Sequence, residues 1–192
     1  MKYKLKLFMY WEVHLVMTVT IRREQPGDRH QLLELLNQTS QTMPYADVHE
    51  AFYHAELRQS FGLSLSLVAC DDYGEVLGCT AVSSLMLSNS GLGWVALRYL
   101  AVQDCFQGYG IGAELIKEAK SWMVSEAVEG CVVAGSSAFY RQLGWQTCSH
   151  LQMPGVSNGE LQVLLVNARE EPEAFVNLLP LSFGSVHRLP VS

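Results

Sequence analysis

The chain has 192 residues, a formal charge of −6 at pH 7, and 49% apolar against 17% charged residues. This length suits one ordinary domain that buries its core without disulfides or metals. The acidic balance speaks against broad nucleic-acid binding, which needs a basic face.

The chain opens with Lys2, Lys4 and Lys6 and a short apolar stretch. This looks like a weak signal peptide, but Glu12 and His14 interrupt the run and no small-residue cleavage site follows. It is too short and too polar for a membrane span. Residues 1–16 are therefore expected to be an appendage, with a domain over 17–170 and a tail over 171–192.

Residues 18–23 alternate β-branched and polar side chains and read as a strand. Pro26-Gly27-Asp28 opens a helix whose apolar face is Leu32, Leu33, Leu35 and Leu36. A polar loop leads to a second helix, expected over 47–60. The period then changes. Residues 63–70 and 76–87 read as a hairpin about the turn "DDYGE", and "WVALRYLAV" reads as a central strand. These three strands predict an antiparallel meander. A helix over 112–126 carries Leu115, Ile116, Ala119, Trp122 and Met123 on one face. "CVVAG" reads as a buried strand and "SSAFYRQLGW" as a short helix closed by Gly144. "WQTCSHLQM" and "ELQVLLVNA" read as two further strands, and the tail as a short helix plus an edge strand. The order is β-α-α-β-β-β-α-β-α-β-β, with no repeat and no domain linker.

The five cysteines lack CxxC spacing and the six histidines form no HxH or HExxH group. Unpaired thiols fit a reducing, cytoplasmic setting, and no metal is expected.

"QGYGIGAEL" carries three glycines at alternate positions between the central strand and the long helix. Glycine there lets the backbone turn tightly or approach a ligand. A P-loop needs Lys and Ser or Thr after its last glycine, and here Ala113-Glu114 follows. The dinucleotide fingerprint G-x-G-x-x-G/A matches Gly108, Gly110 and Ala113 in letters. Its context disagrees: "QDCF" intervenes, antiparallel strands precede, and no acid ends "CVVAG". A third reading takes Gln107-x-x-Gly110-x-Gly112 together. Backbone N–H groups of such a loop and of the first helical turn cradle a pyrophosphate, and the helix dipole favours the anion. A tight strand-to-helix connection is the bland alternative.

This third pattern resembles the Q/R-x-x-G-x-G/A loop of the GCN5-related N-acetyltransferases (GNAT), and "LRYLAVQDCFQGYGIGAELIKEAK" is similar to that family's strand, loop and helix. "AFYRQLGWQTC" resembles the family's Y-x-x-x-G-F segment, with Tyr140, Gly144 and Trp145 in place. "GSSAFYRQLGW" resembles a stretch of one bacterial subgroup of predicted N-acetyltransferases.

The resemblance implies a mixed, mostly antiparallel central sheet flanked by helices, an α/β fold of the α+β type. It also implies acetyl-CoA as cosubstrate. The pantetheine arm would pair with Leu100, Ala101 and Val102, and the pyrophosphate would sit on Gln107, Gly108, Tyr109, Gly110, Ile111, Gly112 and Ala113. An amine of a small molecule or a protein would attack the thioester directly. A backbone N–H near Ala101 or Val102 would meet the developing oxyanion. Tyr140 would protonate the departing thiolate, although a tyrosine there also packs well in a core.

The central strand holds Arg98 and Tyr99 and no acid, so no general base is evident. Glu50, Glu56, Asp104, Glu75, His49 and His54 are the candidates, each more often a solvated group. Tyr45, Asp47, His49 and Glu50 are placed to attract a cationic amine, beside the simpler reading of an ordinary loop and helix. The rival functions are a non-catalytic acyl-CoA-binding or sensing module and, more remotely, a nicotinamide-dependent oxidoreductase. No nucleic acid or membrane partner is expected. An exposed tail strand would offer an edge to a second copy.

Overall fold

The computed structural model describes residues 2–8, 14–40, 63–87, 90–134, 137–152, 161–168 and 174–177. Their strands are β1 (Lys2–Phe8), β2 (His14–Arg23), β3 (Leu65–Cys70), β4 (Val76–Leu87), β5 (Ser90–Val102), β6 (Gly130–Ala134), β7 (Gln146–Thr147), β8 (Leu151–Gln152), β9 (Leu161–Leu165) and β10 (Ala174–Asn177). The helices are α1 (Arg29–Ser40), α2 (Ile111–Ser125) and α3 (Ser137–Gln142). None is long and apolar enough to cross a membrane. The second helix expected over 47–60 lies outside the described residues.

The sheet runs β1-β2-β3-β4-β5-β6-β9-β7. Every neighbouring pair on that path is antiparallel except β5 and β6. That parallel pair is joined by a crossover through α2, as parallel strands require. The expected meander is β3-β4-β5, with β4 starting and ending where the sequence places it.

Residues 2–8, set apart by their sequence from the domain, pair with β2 from Lys2↔Thr20 to Phe8↔His14 and add an edge strand. The expected single strand over 145–153 is two short pieces, β7 and β8. Cys148 and Leu151 are both buried while Ser149 and His150 are exposed. A buried spacing of three cannot lie on one face of a continuous strand. The tail does supply a strand, but β10 has a partner on each side, β4 and β8. The space for it arises because β3 reaches β4 only as far as Val82.

α2 packs Ile111, Leu115, Ile116, Ala119 and Met123 into the main core on one face of the sheet. Each of the four larger side chains contributes about 1.5–3 kcal/mol by burial, and Ala119 less. Tyr140, Leu143 and Trp145 flank the same core. On the opposite face Leu32, Leu35 and Leu36 of α1 meet Cys79, Ala81, Tyr99 and Ala101. A third cluster on that face joins Leu85, Leu87, Trp94, Ala96 and Leu151. The Trp94 ring lies so close over Gly130, the first residue of β6, that a Cβ there would sit 2.6 Å from Trp94 Cη2 and 2.9 Å from the Leu164 carbonyl.

Candidate functional site

The parallel contact between β5 and β6 is short. Trp94, Val95 and Ala96 pair with Gly130, Cys131 and Val132, and the two strands then part. β5 continues through Leu97 to Val102 along β4, while Val133 and Ala134 pair with β9. Beyond Ala96, β5 therefore has no pairing with β6, which leaves a gap whose β5 wall ends in Leu100, Ala101 and Val102. Leu100 and Val102 pack toward α2, and Ala101 is buried toward α1. Past Val102 the chain makes a short 3-10 turn, Asp104–Phe106, and enters the glycine loop.

This loop is braced from both sides. The Gln103 N–H donates to the Leu77 carbonyl (2.9 Å), and the Gln103 side-chain amide donates to the Val76 carbonyl (2.9 Å) and to Glu75 Oε1 (3.1 Å). The Gln107 amide donates to the Val102 carbonyl (3.1 Å) and to Asp104 Oδ1 (2.9 Å). Its side chain thus ties the loop to the end of β5. Gly108 (φ +80°) and Gly110 (φ +87°) take the left-handed conformation that only glycine adopts readily. Gly110 is the N-cap of α2. The N–H groups of Ile111, Gly112 and Ala113 that follow have no intrahelical acceptor, because they form the first turn. The Ile111 side chain anchors this turn in the core, at 1% exposure. Tyr109 is half-buried against the same core.

α3 closes the other side. A Cβ on Gly112 would lie 3.6 Å from both Leu100 Cδ2 and Phe139 Cζ, and 3.7 Å from Val102 Cγ2. The strand end, the loop and α3 therefore meet at one point. Phe139 is one of the large apolar residues left exposed, and its ring meets Tyr140 edge-on at 5.3 Å. Tyr140, half-buried, packs edge-on against Trp145 at 5.8 Å.

An acetyltransferase (GNAT) domain family model matches residues 63–147, which span this site. The chain is 30% identical over 130 residues to YhbS, an uncharacterized N-acetyltransferase of Escherichia coli strain K12, covering 68% of this chain and 75% of that protein. The chain belongs to the GNAT acetyltransferase family. Its fold is similar to a GNAT family acetyltransferase from Brucella melitensis in complex with acetyl-CoA, with TM-score 0.73, 28% identity, and coverage of 85% of this chain and 97% of that one. It is also similar to E. coli YhbS in complex with CoA, with TM-score 0.70, 28% identity, and coverage of 81% and 85%.

The central strand β5 of this GNAT chain carries no carboxylate. Asp104 and Glu75 serve as acceptors for the glutamines that brace the loop. Glu50, Glu56, His49 and His54 lie outside the described residues, as do Tyr45 and Asp47. A carboxylate that the sequence reading passes over, Glu24, accepts from Ser66 Oγ at 2.5 Å on the face opposite α2. Glu114, in the first turn of α2, pairs with Lys117 at 3.2 Å, which offsets its charge next to the loop. Beyond Ala113 a groove of about 290 Å³ runs along α2, lined by Ile116, Lys117, Lys120, Ser121, Val124 and Leu143. Lys120 donates to the Leu143 carbonyl (3.0 Å) and lies 5.7 Å from the Trp145 ring centre. Among the described residues no cluster of His, Cys, Asp or Glu is arranged for a metal. Phe139 is the contact that sequence reasoning missed. Only its place in "FY" hinted at it, because the approach to Gly112 spans 27 positions of sequence.

Proposed function

We propose that this protein transfers an acetyl group from acetyl-CoA to a primary amine of a small molecule or protein by direct attack. The observation that carries this reading is the gap: β5 outruns β6 and ends at an N–H-rich glycine loop that faces it. An extended pantetheine arm fits along Leu100, Ala101 and Val102, where β5 lacks β6 as a neighbour. The pyrophosphate fits on Gln107 through Ala113, with first-turn N–H groups and the helix dipole as its partners. The likeness to proteins solved with acetyl-CoA and CoA supports the same cosubstrate.

In this reading the amine nitrogen bonds to the thioester carbon and the carbon–sulfur bond breaks. An N–H of Ala101 or Val102 meets the carbonyl oxygen as it gains charge. Tyr140 gives its proton to the departing thiolate, and the amine loses one proton to solvent. Residues 17–170 are the acyltransferase unit. Of residues 1–16, Lys2–Phe8 add its edge strand, and residues 171–192 form the tail that supplies β10.

Calorimetric titration of acetyl-CoA into wild type and Gly110→Glu tests the cradle, with binding expected only for wild type. Thiol release with an amine panel then separates an enzyme from a binding module. Folded wild type that binds no acetyl-CoA refutes the reading. Binding without turnover of any amine leaves a binding module.

A further inference from the structure

The loop that offers N–H groups to an anion also has an apolar border. Leu100 and Val102 form its β5 side, and both are half-buried. Phe139 forms the other side, on α3, the element that comes directly after β6. The three side chains converge on Gly112, at 3.6–3.7 Å from where its Cβ would lie. They therefore face one another across the end of the gap, beside the first turn of α2. Among the described residues, the large apolar side chains left exposed are Tyr73, Val124 and Phe139. Tyr73 is at the turn of the β3-β4 hairpin and Val124 is in the last turn of α2. Phe139, with 37% of its surface exposed, is the one of these that adjoins the cradle.

An exposed ring is stabilised when a ligand covers it with apolar surface. A bare diphosphate cannot do so. The ligand that suits this border carries an apolar group right next to its charge. Coenzyme A has such a group: the quaternary carbon of its pantoyl unit bears two methyl groups and is separated from the nearest phosphorus by one oxygen and one methylene. With the diphosphate on the first-turn N–H groups of α2, an arm that continues into the gap passes between Phe139 and the Leu100–Val102 side. Its first apolar group is then the dimethyl unit. A nucleoside diphosphate or triphosphate that shares the cradle leaves this border exposed.

We propose that Phe139 binds the dimethyl unit of the pantetheine arm and makes the cradle selective for CoA over nucleotides that share its diphosphate. This rests on the cosubstrate reading above and deepens it. Leu100 and Val102 also pack toward α2, so their truncation would disturb the core; the exposed Phe139 ring can be removed with less effect on the fold.

The test titrates two ligands by calorimetry. One is CoA. The other is adenosine 3′-phosphate 5′-diphosphate, which keeps the phosphate groups of CoA and ends where the arm begins. Phe139→Ala is expected to weaken CoA about tenfold and to leave the nucleotide unchanged, and Phe139→Leu to keep most of the CoA affinity. Both are read in binding, so a shift of the neighbouring Tyr140 hydroxyl does not enter through the chemical step. In CoA-loaded wild type, the Phe139 ring protons are expected to show NOEs to the two pantoyl methyl groups, a result that needs no variant. Phe139→Ala that binds CoA like wild type overturns the proposal. So does an equal loss for both ligands, which would make Phe139 a support of the cradle, or the absence of the NOEs. Wild type that binds the nucleotide as tightly as CoA also overturns it, because the arm then adds nothing. Folded wild type that binds neither ligand refutes the cosubstrate reading and the proposal together, an outcome distinct from all of these.

Discussion

The ring of Phe139 lies against the open side of Gly112, 3.6 Å from where a Cβ would stand. That is ordinary van der Waals contact, and Gly112 is not among the glycines of positive φ. Gly110, two residues earlier, has nothing within 4 Å of a Cβ, yet sits at φ +87°. Backbone conformation thus calls for glycine at Gly110 and neither conformation nor space calls for it at Gly112, and alanine separates the two. Gly112→Ala is expected to fold, to gain about 0.4–1 kcal/mol from a less flexible unfolded chain, and to keep acetyl-CoA binding. Gly110→Ala is expected to lose about 1–2 kcal/mol and to weaken acetyl-CoA binding, because relief of the left-handed strain turns the first N–H groups of α2 away. Urea melts and calorimetry on both variants check this. Equal losses at the two positions would mean that φ is not what sets them apart.

Much of this was legible because the letters carried the period. β4 and α2 were readable from an apolar run bounded by turns and from Leu115, Ile116, Ala119 and Met123 on one face. The cradle was readable because its glycines sit between a strand and a helix. Other features were not local. The parting of β5 from β6 after Ala96 and Val132 is set by pairing between segments far apart in the chain, and the bulge at Arg98 depends on β4. β1 had a signal that was passed over: Lys2, Lys4 and Lys6 alternate with Tyr3, Leu5 and Leu7, a strand period rather than a leader.

Tyr140 offers a separation of chemistry from packing. Its ring contacts with Phe139 and Trp145 survive in Tyr140→Phe. If the hydroxyl protonates the leaving thiolate, the variant is expected to lose about 10²-fold or more in kcat with its acetyl-CoA affinity and melting temperature kept. Steady-state rates beside calorimetry decide it. Unchanged kcat would reduce Tyr140 to a packing residue.

At the start of α1, Asp28 accepts from Arg22 through both oxygens, at 2.6 and 2.8 Å, and from the Gln25 N–H at 2.7 Å. The hydrogen bond with Arg22 holds its carboxyl below the ordinary value. Burial opposes this, and the Gln25 N–H and the charge of Arg22 add to it. A lowered pKa in the folded state means stability that is complete above the unfolded value, about 3.9, and is lost as pH falls through the folded one. Asp28→Asn is expected to lose about 1–3 kcal/mol at pH 7 and to flatten the acid side of the stability profile. Urea melts from pH 7 to pH 3 measure both effects. A variant as stable as wild type at pH 7 would show that the pair contributes nothing net.

Tyr3 tests whether β1 belongs to the folded unit. The side chain packs on the main core, and its hydroxyl is buried with no hydrogen-bond partner among the described residues. Burial, and then the charge of Glu114, push the phenol up to about 12. Here the folded pKa lies above the unfolded value of about 10, so the stability it carries is whole below pH 10 and drains away between about pH 10 and pH 12. Tyr3→Phe keeps the ring and removes both the unpaired hydroxyl and the ionisation. It is expected to be neutral or more stable by up to about 1 kcal/mol at pH 7, and to lose the alkaline decline over that window. Tyr3→Ala removes the ring and is expected to lose about 3 kcal/mol, as a large core truncation does. Deletion of residues 1–13 should match or exceed that loss, since it also strips β2 of its paired edge. If both the truncation and Tyr3→Ala melt with wild type, the strand adds nothing to the stability of the unit and residues 1–16 are an appendage in energy as well as in sequence.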